Sequence, residues 1–269
     1  MSKSANFIPA ALIAITVAFS LTLPSSAAIK VEAIEYQVGP DKTTYRGYLA
    51  YDDAAKDKRP GVLVCHEWWG CNQYAADRAK KLAELGYVAF ALDMYGKDKV
   101  TTDPAEAGKL AGALYADSKV LRERAAAGLE VLKKDKRVDP AKLAAIGYCM
   151  GGTIALELAR TGAELDAVVC FHTSNLVAKD PADNAKIKAK VLVCHGADDN
   201  FVQPGTLDTF QSQMRDAKID YTLISYSGAV HSFTNPAADS FKIDGVKYQE
   251  AADRRSWQHM KDLFAEAFK

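Results

Sequence analysis

The sequence that decides the fold is Gly147-Tyr148-Cys149-Met150-Gly151-Gly152, which follows an apolar run at 143–146 and precedes an Ala- and Leu-rich segment at 150–160. This is the pattern of a nucleophile elbow, a tight turn from a strand into a helix. Glycines relieve crowding there, and the helix N-terminus favours a thiolate. We therefore predict Cys149 as nucleophile, with the Met150 N–H as an oxyanion donor. The alternative is a small buried cysteine in a glycine turn.

Alternating strands and helices surround this elbow. Apolar runs, which indicate strands buried on both faces as in a parallel sheet, occur at 62–65, 88–92, 143–146, 167–171, 191–194 and 221–226. Segments with helical spacing lie at 74–85, 122–134, 150–160, 206–217 and 248–268. Alternating residues at 31–38 and 44–51 predict an opening hairpin. The pattern indicates one doubly wound, mostly parallel α/β domain with helices on both faces, and 97–118 as an insertion that could cover a pocket.

An elbow nucleophile requires an acid and then a histidine later in the chain. Adjacent aspartates, Asp198 and Asp199, follow the apolar run at 191–194, and we predict that Asp199 reaches inward to orient the base. Two histidines come after both the cysteine and the aspartates. His231 lies in a loop after the last apolar run, whereas His259 lies within a helical segment, so we predict His231 as the base.

Composition and the N-terminus limit the class of protein. The 269 residues carry 34 basic and 34 acidic side chains. This balance lacks the excess of basic residues that is typical of nucleic-acid-binding proteins. The segment 1–28 has one lysine, an apolar run and small residues before a possible cleavage site, so we interpret it as a secretory signal peptide, with an uncleaved anchor as the alternative. We expect an exported protein, in a bacterial periplasm, monomeric and free of the membrane after cleavage, whose domain spans 29–269.

With these residues in place, the chain resembles the dienelactone hydrolase family of the α/β-hydrolase fold over nearly all of 29–269. The likeness rests on the elbow, a Gly-x-x-Asp-x-x-Val stretch, a Gly-x-x-His-Ser-Phe stretch and His66-Glu67-Trp68-Trp69-Gly70. The resemblance implies hydrolysis of an ester or lactone through a thioester, without metal or organic cofactor. It implies that Glu67 lies beside Cys149 and tunes the thiol, and that the Trp68 N–H is the second oxyanion donor. A buried carboxyl group beside two tryptophans would also have a raised pKa.

The sequence departs from the family at the residues expected to hold the substrate. Family members that act on dienelactone use two arginines, and the matching positions here are Lys97 and Asn235. A lysine and an asparagine cannot hold a substrate carboxylate with paired guanidinium hydrogen bonds as two arginines do. We therefore expect the substrates to be esters, lactones or thioesters with less negative charge. Together with Trp69 and Tyr95, these residues are the candidates for substrate binding.

Three alternatives to this interpretation follow from the sequence. Cys65-His66 and Cys194-His195 could supply metal ligands, although adjacent strand residues point to opposite faces. Cys65 and Cys71 could form a disulfide. Finally, the chain could be an exported binding protein on a hydrolase scaffold without turnover.

Overall fold

The computed structural model describes Met1 and residues 28–269, so the predicted signal peptide lies almost wholly outside the described residues. Within 28–269 one sheet contains β1 (Ile29–Val38), β2 (Thr43–Asp52), β3 (Arg59–Cys65), β4 (Val88–Leu92), β5 (Val138–Tyr148), β6 (Ala167–Phe171), β7 (Lys190–Gly196) and β8 (Tyr221–Tyr226). The helices are α1 (Gln73–Glu84), α2 (Pro104–Ala116), α3 (Ser118–Lys134), α4 (Met150–Ala159), α5 (Thr206–Asp216) and α6 (Glu250–Ala267). No described helix has the length and apolar character needed to cross a membrane.

The sheet order is β1-β2-β4-β3-β5-β6-β7-β8. β1 pairs antiparallel with β2, and β2 antiparallel with β4, whereas β4, β3, β5, β6, β7 and β8 are mutually parallel. The carboxyl ends of the parallel strands therefore share one edge, where loops can bring distant residues together. The predicted α/β fold with a mostly parallel sheet is confirmed, including its antiparallel opening hairpin.

Helices cover both faces of the sheet. One core cluster contains apolar residues of α2, α3, α4 and α5, and the other contains those of α1 and α6. Strand β5 supplies both clusters, because Leu143 and Ala145 face the first whereas Ala144 and Ile146 face the second. This alternation places apolar side chains on both sides and accounts for the continuous apolar run that identified the strand.

The segment predicted as an insertion contains a regular helix, α2. Asp103 caps it by accepting a hydrogen bond from the Ala105 N–H at 2.9 Å, and Pro104 occupies the first turn, where its missing N–H costs nothing. Ala111 and Tyr115, one turn apart on α2, both line the pocket beside Cys149. The helix therefore forms one wall of the site.

Candidate active site

Cys149 is the single residue between β5 and α4, and its backbone is strained. Its φ of 54° and ψ of −118° lie in a region that costs a non-glycine residue about 1–3 kcal/mol. Two hydrogen bonds hold this conformation: the Cys149 N–H donates to the Phe171 carbonyl at 3.0 Å, and its carbonyl accepts from the Gly152 N–H at 3.1 Å. The thiol is thereby fixed at the N-terminus of α4 and at the carboxyl edge of the sheet.

The elbow glycines permit close backbone contact. A Cβ on Gly147 would overlap the Gly151 carbonyl, a Cβ on Gly151 would overlap the Cys65 carbonyl, and a Cβ on Gly152 would overlap the Thr173 hydroxyl. None of the three needs a positive φ. Their role is therefore steric, because they let the first turn of α4 pack directly against the end of β3.

Asp199 and His231 lie together, as the sequence predicts. The His231 Nδ1 lies 2.8 Å from Asp199 Oδ2, and both side chains are buried. The other carboxylate oxygen accepts from the Phe201 N–H at 2.9 Å. Nδ1 therefore carries a proton, and the second ring nitrogen is free to act as a base. The alternatives lie elsewhere: Asp198 is exposed, and His259 Nδ1 is 2.8 Å from the Tyr226 hydroxyl.

Cys149 and His231 line the same pocket. Burial opposes a charge on the imidazole, but the interactions with Cys149 and Asp199 outweigh burial and raise the pKa of His231 to about 10. The structure thus brings Asp199 to His231, and His231 to the pocket that contains Cys149, although the three residues are far apart in sequence. Such an arrangement can remove a proton from a thiol and hold the resulting imidazolium.

Met150 and Trp68, whose N–H groups are the predicted oxyanion donors, both line the pocket. Met150 is the first residue of α4, so its N–H has no acceptor within the helix. Trp68 follows β3 and lines the same pocket. Tyr95 lies behind this pair, since its hydroxyl donates to the Trp68 carbonyl at 3.0 Å and lies 3.3 Å from Met150 Sδ. We therefore regard Tyr95 as a support for the loop after β3.

The pocket beside Cys149 has a volume of about 280 Å³ and is largely apolar. Trp68 and Trp69 contact each other with ring centroids 4.8 Å apart, and Trp69 contacts Phe241 at 4.7 Å. On the other side, the partly exposed Phe201 ring lies 4.9 Å from the His231 ring. Further lining residues are Ala111, Tyr115, Ser174, Asn175, Ser232, Ile243 and Val246. This aromatic wall can exclude water from a bound ester.

The Glu67 carboxyl group is buried and hydrogen-bonded to the loop that carries His231. Its two oxygens accept hydrogen bonds from Ser232 Oγ at 2.9 Å and from Asn235 Nδ2 at 2.7 Å. Burial raises the pKa of Glu67, and the hydrogen bonds from Asn235 and Ser232 and the nearby charges of His231 and Arg78 oppose this rise. The carboxyl group is therefore bound to the loop that carries His231.

Two of the expected substrate-binding residues lie away from the pocket. The Lys97 ammonium is 2.8 Å from Glu35 Oε1 at the surface. Asn235 is buried, with its amide donating to Glu67 and its oxygen accepting from the Ala237 N–H. The prediction that these residues contact substrate is therefore not supported, because both side chains are occupied by other partners. Trp69, in contrast, lines the pocket.

Sequence reasoning missed several lining residues, chiefly Tyr115, Asn175 and Phe201. Tyr115 had a detectable signal, because it lies four residues after Ala111 in a segment that Asp103-Pro104 could have identified as a helix. Asn175 and Phe201 lie in loops after β6 and β7 without a comparable pattern. Their positions depend on the path of each loop.

The remaining cysteines are buried and unreactive. The alternative of a Cys65–Cys71 disulfide does not hold, since all five cysteines are free. Burial raises the pKa of the Cys65, Cys71 and Cys170 thiols, and that of Cys194 to about 12, whereas Cys149 is partly exposed. Among residues 28–269, no group of three or more His, Cys, Asp or Glu side chains is arranged to hold a metal ion.

Comparison with known proteins decides the family. The model of the dienelactone hydrolase family matches residues 45–268. The chain belongs to the dienelactone hydrolase family. Because the match spans β2 to α6, it includes every residue of the elbow and of the Asp199–His231 pair.

Individual relatives agree with this family. The structure of the dienelactone hydrolase-like promiscuous phosphotriesterase P91 from metagenomic libraries is 40% identical with a TM-score of 0.85, over 90% of this chain and 99% of that one. The structure titled m3DLH is also 40% identical, with a TM-score of 0.86, over 90% and 100%. A protein of Aquifex aeolicus named "Putative carboxymethylenebutenolidase" is 31% identical over 71% of this chain and 82% of its own.

Proposed function

We propose that this dienelactone hydrolase family member cleaves a carboxylic ester or lactone through a thioester formed on Cys149. The observation that carries the proposal is the 2.8 Å contact from Asp199 Oδ2 to His231 Nδ1, in the pocket that His231 shares with Cys149. A binding protein without turnover needs neither an oriented base nor a strained nucleophile.

The chemistry proceeds in two halves. In the first, His231 takes the thiol proton, the Cys149 sulfur bonds to the carbonyl carbon, and the imidazolium then gives its proton to the departing alkoxide. In the second half, His231 takes a proton from water, the hydroxide attacks the thioester, and the sulfur leaves and recovers its proton. Asp199 holds the imidazole tautomer throughout, because its carboxylate accepts from Nδ1. In a lactone, the alcohol remains attached to the released acid.

Both tetrahedral intermediates place a negative charge on the former carbonyl oxygen. We assign its stabilisation to the backbone N–H groups of Met150 and Trp68, two residues that line the pocket from α4 and from the loop after β3. The N-terminal end of the α4 dipole adds to this effect. Tyr95 keeps the Trp68 peptide in place through its hydrogen bond to the Trp68 carbonyl.

For Glu67 we propose a positioning role. Ser232 follows His231 directly and has a positive φ of 55°, a conformation that needs support. Its hydroxyl donates to Glu67, and Asn235 donates to the other oxygen, so the carboxyl group fastens the loop at two points. Glu67 would then tune the Cys149–His231 pair through its charge and through this loop.

The substrate class follows from the lining of the pocket. None of the described residues that line it is an arginine or a lysine, and aromatic and aliphatic side chains predominate. A substrate that carries a carboxylate, such as dienelactone, would lack a cationic partner there. We therefore propose neutral esters and lactones as substrates, with small-molecule binding and no cofactor.

The test is hydrolysis of p-nitrophenyl butyrate by the wild type and by Cys149→Ala. We expect release of p-nitrophenol by the wild type and loss of nearly all of that rate in the variant. Cys71→Ala is the matched control, because Cys71 is buried and lies outside the pocket. Equal rates for the wild type and Cys149→Ala would reject the covalent mechanism. Binding without turnover by the wild type would favour the alternative of a binding protein.

A second candidate activity is hydrolysis of phosphotriesters. The observation that favours it is the 40% identity with a protein described as a promiscuous phosphotriesterase. Attack of the Cys149 sulfur on a neutral aryl phosphotriester would use the same base and the same N–H donors. Diethyl 4-nitrophenyl phosphate is the probe. Turnover that disappears in Cys149→Ala would support this activity, and no turnover would exclude it.

We also propose that the chain is exported, with 1–28 removed as a signal peptide, and that the product is a periplasmic monomer. The composition of 1–28 supports this proposal. The test is N-terminal sequencing of the protein recovered from the periplasm. A mature N-terminus at Ile29 would support the proposal, and retention of Met1 in a membrane fraction would support an anchor.

A further inference from the structure

One side of the active-site pocket is polar, in contrast to its aromatic remainder. Tyr115, Ser174 and Asn175 line it there, on α2 and on the loop after β6. None of the three takes part in the proposed chemistry. A pocket for a purely aliphatic acyl chain would not need these groups, since each loses hydration when the chain binds.

Tyr115 lies where α2 meets the loop after β6. It lines the pocket together with Asn175, and it lines the neighbouring cavity together with Thr153 and Asn175. The Thr153 hydroxyl donates to the Asn175 carbonyl at 3.0 Å. At the backbone, the Lys179 ammonium donates to the Tyr115 carbonyl at 2.8 Å and ties the last turn of α2 to the loop after β6.

The phenol remains protonated at neutral pH. Burial raises the pKa of Tyr115 to about 12, and the charge of Cys149 adds to this effect. Tyr115 and Cys149 line the same pocket. Tyr115 can therefore donate a hydrogen bond to a group carried by a bound substrate.

A second cavity, here called the side cavity, adjoins the pocket at this point. It has a volume of about 400 Å³ and shares Tyr115 and Asn175 with the pocket. Arg122 also lines it, but its guanidinium is paired with Glu157 at 2.8 Å and with Asp183 at 2.6 Å. Because this charge is balanced within the wall, the side cavity suits an uncharged polar chain better than an anion.

The direction of the leaving group assigns the polar side to the acyl part of the substrate. His231 must protonate the departing oxygen, so the alcohol lies next to His231 and Phe201. Tyr115 instead lies on α2 with Ala111. This helix passes next to Trp68, because a Cβ atom on Gly108 of α2 would lie 3.9 Å from the Trp68 ring. The acyl chain extends from Cys149 toward this wall.

We propose that Tyr115, with Thr153 and Asn175, forms a polar acyl subsite that binds an uncharged hydroxyl group on the acyl chain of the substrate, with the rest of a long chain entering the side cavity. The inference rests on the proposed function, because it assumes an acyl group on Cys149. Its substrate class is hydroxyacyl esters, as distinct from plain alkanoyl esters. Tyr115 is then a specificity-determining residue.

The experiment compares p-nitrophenyl esters whose acyl chains carry a hydroxyl at position 2, 3 or 6, each against its isostere with methyl in place of hydroxyl. We expect the wild type to prefer the hydroxyl ester by about tenfold in kcat/KM at one or more positions, the value of one neutral hydrogen bond. In Tyr115→Phe the ratio of the rates on the two esters should fall to about one, because the phenol that makes the hydrogen bond is absent. Tyr221→Phe, which alters a tyrosine of β8 outside the pocket, should retain the preference.

The outcomes separate this inference from the proposed function. No preference at any position, or an equal preference in Tyr115→Phe, would overturn the subsite. A preference that appears only when the hydroxyl is moved to the alcohol part would also overturn it. If neither ester of any pair is hydrolysed, or if both are hydrolysed equally by Cys149→Ala, the proposed function itself fails.

Discussion

Replacing Asp199 by asparagine should move the ring proton of neutral His231 from Nδ1 to the other ring nitrogen. In the structure, Asp199 Oδ1 accepts from the Phe201 N–H at 2.9 Å, and Oδ2 faces His231 Nδ1 at 2.8 Å. An asparagine must keep its oxygen toward the Phe201 N–H, because an NH₂ group there would oppose another donor. Its NH₂ group then points at Nδ1, which must become an acceptor. The proton moves to the other ring nitrogen, and the base that faces Cys149 is lost.

We expect Asp199→Asn to lower kcat by about 10³- to 10⁴-fold, the range known for tautomer reversal in serine hydrolases with the same arrangement. At about 1.4 kcal/mol per factor of ten, this is about 4–5 kcal/mol of lost transition-state stabilisation. The fold should be retained, because the bond to the Phe201 N–H persists. The thermal unfolding midpoint should therefore stay close to that of the wild type.

The assay is steady-state hydrolysis of p-nitrophenyl butyrate, with Asp198→Asn as the matched control. Asp198 is the exposed neighbour, and its side chain does not face His231, so the control should keep the wild-type rate. An Asp199→Asn rate within tenfold of the wild type would refute the tautomer argument. An equal loss in Asp198→Asn would refute the assignment of the acid.

Three further predictions concern the elbow, the buried carboxyl group and the thiols. Gly151→Ala should lower the free energy of unfolding in urea by about 1–3 kcal/mol or more, because the alanine Cβ would overlap the rigid Cys65 carbonyl. An unchanged unfolding midpoint would contradict this prediction. Glu67→Gln should move both limbs of the kcat/KM pH profile to lower pH, with little change in KM. The reason is that loss of a carboxylate charge lowers the pKa of both Cys149 and His231. An unshifted profile would exclude this role of Glu67. Iodoacetamide should label Cys149 first, with protection by substrate; faster labelling of another cysteine counts against it.

Local pattern was sufficient for the fold and for the elbow. The runs at 88–92 and 167–171 coincide with β4 and β6, because strands covered on both faces must be apolar throughout. The order of nucleophile, acid and base along the chain selected Asp199 and His231, and the structure brings these two side chains together. Each of these inferences depended on a short segment and its neighbours.

Contacts between distant loops were beyond the reach of sequence patterns. The partners of Glu67, Ser232 and Asn235, lie more than 160 residues away, so nothing near Glu67 indicated which loop it would hold. Likewise, Lys97 occupies the family's substrate-binding position in sequence, but its side chain pairs with Glu35 of the opening hairpin. Which of several polar partners a side chain selects is determined by the paths of both loops.

The central claim, an acyl group carried by sulfur, can be measured by mass spectrometry. The protein is mixed with p-nitrophenyl trimethylacetate, whose bulky acyl group slows the attack of water, quenched in acid and digested. The account predicts a burst of one p-nitrophenol per protein and one trimethylacetyl group on the peptide that contains Cys149. A burst with the acyl group on another residue, or steady turnover with Cys149 unmodified and unnecessary, would contradict it.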